Sequence, residues 1–128
     1  MPTVNTFEEL KSWQKARLLA KEIHEVTRRF EDDFDLKRQI RKSSGSAMDN
    51  IAEGFGRGSR GEFVQFLGIA KGSAEEVKSQ LYRALDNIYI TKEEFDHLYQ
   101  QADDVGKLIA GLLKYLNTSD IKGKRYNQ

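Results

Sequence analysis

The residues best suited to chemistry lie in one stretch, "NIAEGFGRGSRGEF", Asn50 to Phe63. Gly56, Gly58 and Gly61 spell G-x-G-x-x-G, a spacing that lets backbone amides approach a pyrophosphate in dinucleotide-binding loops. That use needs a preceding strand and an acidic residue about 20 positions on. Here a helical repeat precedes the glycines, and the residues near position 80 read "SQLYR". A phosphate-binding P-loop would need Gly-Lys-Ser/Thr, which the stretch does not contain. Two other uses remain. Arg57 and Arg60, with Lys37, Arg38, Arg41 and Lys42 just upstream, are candidate contacts to nucleic-acid phosphates. Asn50, Glu53, Arg57 and Glu62 could in principle do acid–base work. Their plainer role is structural, with Asn50 and Glu53 holding the glycine-rich backbone at Gly54 and Gly56, and Arg57 pairing with Glu53 or Glu62.

Other chemistries find little support. Glu94 and His97 form one Glu-x-x-His, whereas bundle dimetal sites need two such motifs and two further glutamates. The chain has no cysteine, which removes thiol nucleophiles and Cys-liganded metals. No catalytic residue, metal or cofactor is therefore expected. The formal net charge is only +1. The charge is unevenly spread: residues 37–60 carry six basic and two acidic side chains, while residues 1–36 carry six basic and eight acidic. Lys122, Lys124 and Arg125 add a second basic cluster. An ordinary solvated face also produces such local excesses.

These side chains must be positioned by helices. Apolar residues recur at spacings of three and four along four segments: Phe7 to Phe30, Leu36 to Ile51, Phe63 to Ile88 and Phe95 to Leu116. Thr6–Glu9, Ser59–Glu62 and Thr91–Glu94 fit the capping box, and Ile90 with Phe95 fits the hydrophobic staple. The acidic run "EDDFD" suits the start of the second helix. The expected helices span about 7–30, 35–53, 60–89 and 92–116. Short connections imply an all-α, antiparallel up-down-up-down four-helix bundle over residues 1–117, followed by a polar, disordered tail at 118–128. Gly54 falls where a left-handed cap would end the second helix. Gly45 is expected opposite Gly72, and Arg41 opposite Glu76, at a close approach of the second and third helices. Gly68, Gly72, Gly106, Gly111, Tyr82, Tyr89 and Tyr99 are more small and aromatic residues than one bundle core can take. With neither a membrane span nor a signal peptide apparent, a cytoplasmic protein is expected.

"FEELKSWQKA", "QIRKSSGSAMDNIAEGFGRGSRGEFVQFLGIAKGSAEEVKSQL" and "YITKEEFDHL" resemble the bacterial 23S rRNA-intervening sequence proteins, also labelled S23 ribosomal proteins. The likeness covers about residues 6–116. Met48-Asp49 stand where the family usually has a proline, which bears on a kink in the second helix. The resemblance implies a four-helix bundle whose relatives form ring-like pentamers. It also implies a link to nucleic acid: genes of the family were first noticed inside intervening sequences of 23S rRNA genes. A related bundle, the accessory protein of diversity-generating retroelements, binds nucleic acid and a reverse transcriptase. The expected function is that of a non-enzymatic homo-oligomer, most simply a pentamer, that binds RNA. The alternative is an oligomeric protein-binding adaptor without nucleic-acid contact.

Overall fold

The computed structural model describes residues 4–118, and the expected tail beyond Thr118 lies outside the described residues. Four α-helices follow in order: α1 (Lys11–Val26), α2 (Phe34–Gly56), α3 (Arg60–Asp86) and α4 (Lys92–Thr118). Contacting pairs run in opposite directions along three neighbouring pairs of helices. Lys15 meets Asp104 and Glu22 meets His97 between α1 and α4. Gln39 meets Arg83 and Ser46 meets Ser73 between α2 and α3. Lys78 meets Asp103 and Tyr82 meets Tyr99 between α3 and α4. Each helix thus lies antiparallel to the one before it.

The apolar stripes read from the sequence become one core. Leu19, Ile23, Leu36, Ile40, Ile51, Phe63, Leu67, Leu81 and Ile109 are almost completely removed from solvent. Removing apolar surface from water contributes about 25 cal/mol per Å², so this core supplies most of the driving force for folding. Lys78 fastens α3 to α4. Its ammonium bonds Asp103 at 2.9 Å and Glu75 at 3.1 Å and lies 5.0 Å from the Tyr99 ring centre. The hydrogen bond to Asp103 is the main reason its pKa is raised, with burial opposing and Glu75 adding to the rise. The same bond, then that from Lys107, lowers the pKa of Asp103.

Several boundaries differ from the sequence reading. The first helix is broken: Phe7–Glu9 and Thr27–Arg29 are single 3-10 turns flanking α1. Leu10, between the first turn and α1, is extended and fully buried, so burying it in the core interrupts the helix. The Thr6–Glu9 capping box forms, as does that of Thr91–Glu94, where each amide meets the other residue's side chain. At Ser59 only half of it forms. The hydroxyl accepts from the Glu62 amide and donates to the Glu62 carboxylate. Asp33 caps α2 by accepting from the Leu36 amide at 2.9 Å.

The third helix stops at Asp86 rather than running to 89. Ile88 N–H donates to Leu85 O and Tyr89 N–H to Ala84 O, the paired bonds of a Schellman cap. The residue closing such a cap is left-handed and usually glycine. Here it is Ile88, with φ of 61° and a side chain 88% exposed. A β-branched residue in that conformation costs roughly 1–2 kcal/mol.

Candidate nucleic-acid interface

The glycine-rich corner joins α2 to α3, but its glycines do different work from that expected. Gly54 does not end α2. The helix continues to Gly56, Arg57 follows as its cap, and Gly58 takes the left-handed conformation with φ of 83°. Gly54 is buried inside the helix. A Cβ there would lie 2.6 Å from Phe66 Cβ and 3.2 Å from Phe63 Cδ1. Gly54 is therefore a point of close approach between α2 and α3. Gly45 and Gly72, expected to fill that role, have open space where a Cβ would stand, with nothing within 4 Å. The register explains the error, since Ser46 rather than Gly45 meets Ser73 on α3. Arg41 likewise pairs not with Glu76 but with the end of α1 and the 3-10 turn after it, donating to His24 O at 3.1 Å and Thr27 Oγ1 at 2.8 Å.

Arg57 clamps the corner. Its guanidinium lies 2.8 Å from Glu53 and 3.7 Å from Glu62, and stacks 5.1 Å above the centre of the Phe66 ring. Phe55 meets Phe63 edge-on, with ring centres 5.8 Å apart. Asn50 takes no part in holding the loop. Its amide donates to Ser46 O and Ser46 Oγ one turn back, and Ser46 Oγ accepts from Ser73 Oγ across the seam. The four residues considered for acid–base chemistry are thus split between a seam network and a corner clamp. Among the described residues, no group of three or more His, Asp or Glu side chains is placed to hold a metal.

The six cationic candidates do not form one surface. Arg60 Nε donates to Leu116 O, tying the start of α3 to the last turn of α4. Arg41 and Arg57 are committed as described. Lys37, Arg38 and Lys42 make no ion pair among the described residues, and Arg38 and Lys42 are exposed one turn apart on α2. Arg38 and Arg57 stand about 28 Å apart along that helix at 1.5 Å per residue. The partner of Arg60 could not be read from sequence, because it is a backbone carbonyl 56 residues away. Arg60→Gln is expected to lower stability by about 1 kcal/mol as this charged hydrogen bond disappears. Thermal melts check this, and an unchanged melting temperature would mean that the bond contributes nothing in solution.

An open groove between α1 and α4 is floored by Leu18, Val26 and Leu98 and crossed by charged side chains. His97 meets Glu22 at 3.1 Å and Arg29 meets Glu94 at 2.7 Å across it. The bond from Arg29, then that from the Thr91 amide, lowers the pKa of Glu94. No helix among the described residues is long and apolar enough to cross a membrane.

Four antiparallel helices pinned at an arginine-clamped, glycine-lined corner define the class: an all-α bundle whose most distinctive feature is the α2–α3 turn. The chain belongs to the 23S rRNA-intervening sequence protein family, whose model matches residues 8–111. It is similar to a solved structure from Bacteroides thetaiotaomicron, described as a protein with unknown function from the S23 ribosomal protein family. The two are 25% identical, with a TM-score of 0.75, over 80% of this chain and 95% of that one. No curated protein matches the chain.

Proposed function

We propose that the protein is a non-enzymatic, self-associating helical scaffold that contacts RNA through Lys37, Arg38 and Lys42 of α2. The observation that carries the assembly is the outer face of α3. Gly61, Gly68, Gly72 and Ser79 recur at spacings of seven, four and seven and are all exposed. Beside them Ile69 is 49% exposed. A glycine inside a helix costs about 1 kcal/mol relative to alanine. Nothing among the described residues needs Gly61, Gly68 or Gly72 to be small, since each Cβ direction is open. Close packing of a second copy against this face offsets that cost. A ring-like pentamer, as the family likeness implies, would bring five such faces together.

The RNA reading rests on Arg38 and Lys42, with Lys37 beside them, rather than on the glycine corner. One chain offers few phosphate contacts, but repetition around an assembly raises apparent affinity through effective concentration. In a salt titration with a labelled RNA, Arg38→Gln with Lys42→Gln is expected to reduce the slope of log K against log salt. The reduction is about 0.7–0.9 for each phosphate that the two substitutions leave unneutralised. Absence of binding by the wild type at low salt, or an unchanged slope in the variant, would contradict RNA contact. The alternative is a protein-binding adaptor. It is favoured by the net charge of +1 and by the internal commitments of Arg41, Arg57 and Arg60.

A further inference from the structure

At the end of the bundle opposite the glycine corner, two large apolar side chains stand in solvent. Phe34 is 70% exposed at the start of α2, and Ile88 is 88% exposed after α3. The turns that carry them touch. Tyr89 OH donates to Asp33 Oδ2 at 3.4 Å, and the Tyr89 and Phe30 ring centres are 5.0 Å apart. Ile88 is the more informative residue. A glycine would close the α3 cap without strain and without exposing apolar surface, so the fold alone does not account for an isoleucine there.

The surroundings are acidic. Glu31, Asp32, Asp33 and Asp35 flank Phe34, and Asp86 precedes Ile88. None of the five pairs with a cation among the described residues. The Tyr89 phenol feels this field: its pKa is raised, first by desolvation and then by Asp33 and Asp32. A complementary occupant carries apolar side chains set among cations. Residues 119–128, "SDIKGKRYNQ", have that chemistry, with Ile121 and Tyr126 around Lys122, Lys124 and Arg125.

Those residues follow α4 at the far end of the bundle. The 27 residues of α4 span about 40 Å at 1.5 Å each. Ten residues, even fully extended, span at most about 36 Å. They cannot return to the acidic end of their own molecule, but they can reach that of another. We propose that the acidic end bearing Phe34 and Ile88 docks residues 119–128 of a second copy, joining copies end to end. This contact is distinct from the side-by-side packing through α3 and does not depend on it.

The test is a charge swap in the full chain, followed by sedimentation velocity across micromolar concentrations. One variant carries Glu31→Lys and Asp32→Lys; the other carries Lys122→Glu, Lys124→Glu and Arg125→Glu. Each alone is expected to weaken end-to-end association at least tenfold, and an equal mixture to restore it. Ile88→Gly is expected to weaken it severalfold while the melting temperature holds or rises. A labelled peptide of residues 119–128 should bind wild-type protein saturably, and at least tenfold more weakly when Ile121 and Tyr126 are replaced by serine. The peptide arm needs no altered protein to fold. Failure of the peptide to bind, reversals that associate like wild type, or a mixture that fails to restore association would each overturn the proposal.

Discussion

Gly54→Ala is expected to destabilise the protein by about 1–3 kcal/mol, the usual cost of overpacking a well-filled core. Alanine is the better helix former by about 1 kcal/mol, so a rule based on propensity alone gives the opposite sign. The contact decides between them. The new methyl would sit 2.6 Å from Phe66 Cβ, an atom one bond from the α3 backbone. No rotation of the phenyl ring relieves that clash, so the helices must separate at the corner. Separation would also loosen the stack of Arg57 on Phe66 and the edge-on packing of Phe55 against Phe63. A melting temperature lower by roughly 4–12 °C would match this cost. Gly45→Ala is the control, since its Cβ direction is open, and it should melt at or slightly above wild type. An unchanged or raised melting temperature for Gly54→Ala would show that the close approach at Phe66 is not as drawn.

Gly72→Leu has the second large expected effect, and it falls on assembly rather than folding. Within one chain the leucine Cβ meets nothing, and the gain in helix propensity is about 1 kcal/mol. The fold should hold or gain stability. If copies pack through the outer stripe of α3 as proposed, a leucine between Gly68 and Ser79 would hold a neighbouring copy away from those small residues. The protein should then fold well and assemble poorly, a combination that a purely structural role for Gly72 does not produce.

The sequence carried the helices more faithfully than their ends. The period of the apolar stripes is a property of each segment alone, and the core positions Leu19, Ile40, Leu67 and Ile109 are buried as that period requires. The starts of α2, α3 and α4 were readable because the capping residues sit next to the amides they satisfy; that of α1 was not, because the Thr6–Glu9 box opens a 3-10 turn instead. The end of α2 was not, because Gly54, Gly56 and Gly58 all suit a left-handed cap. Gly58 takes that conformation, while Gly54 stays inside the helix against Phe66 of α3. Ile88 left no trace in the sequence, since nothing marks an isoleucine as a left-handed residue. The candidate site divided in the same way. The pairing of Arg57 with Glu53 is local, at four residues' separation, and was readable. The commitments of Arg41 to α1 and of Arg60 to the end of α4 depend on helix register. That register also placed Ser46, not Gly45, against α3.

Light scattering of the purified chain at micromolar concentration tests most directly whether the exposed small-residue face of α3 is kept for contact with other copies. Wild type is expected to give a mass several times that of the 14.7 kDa chain, and Gly72→Leu, combined with Lys122→Glu, Lys124→Glu and Arg125→Glu to remove the end-to-end contact, a mass close to that of one chain. A wild-type mass equal to one chain would contradict self-association through α3, as would a Gly72→Leu variant that assembles as wild type does.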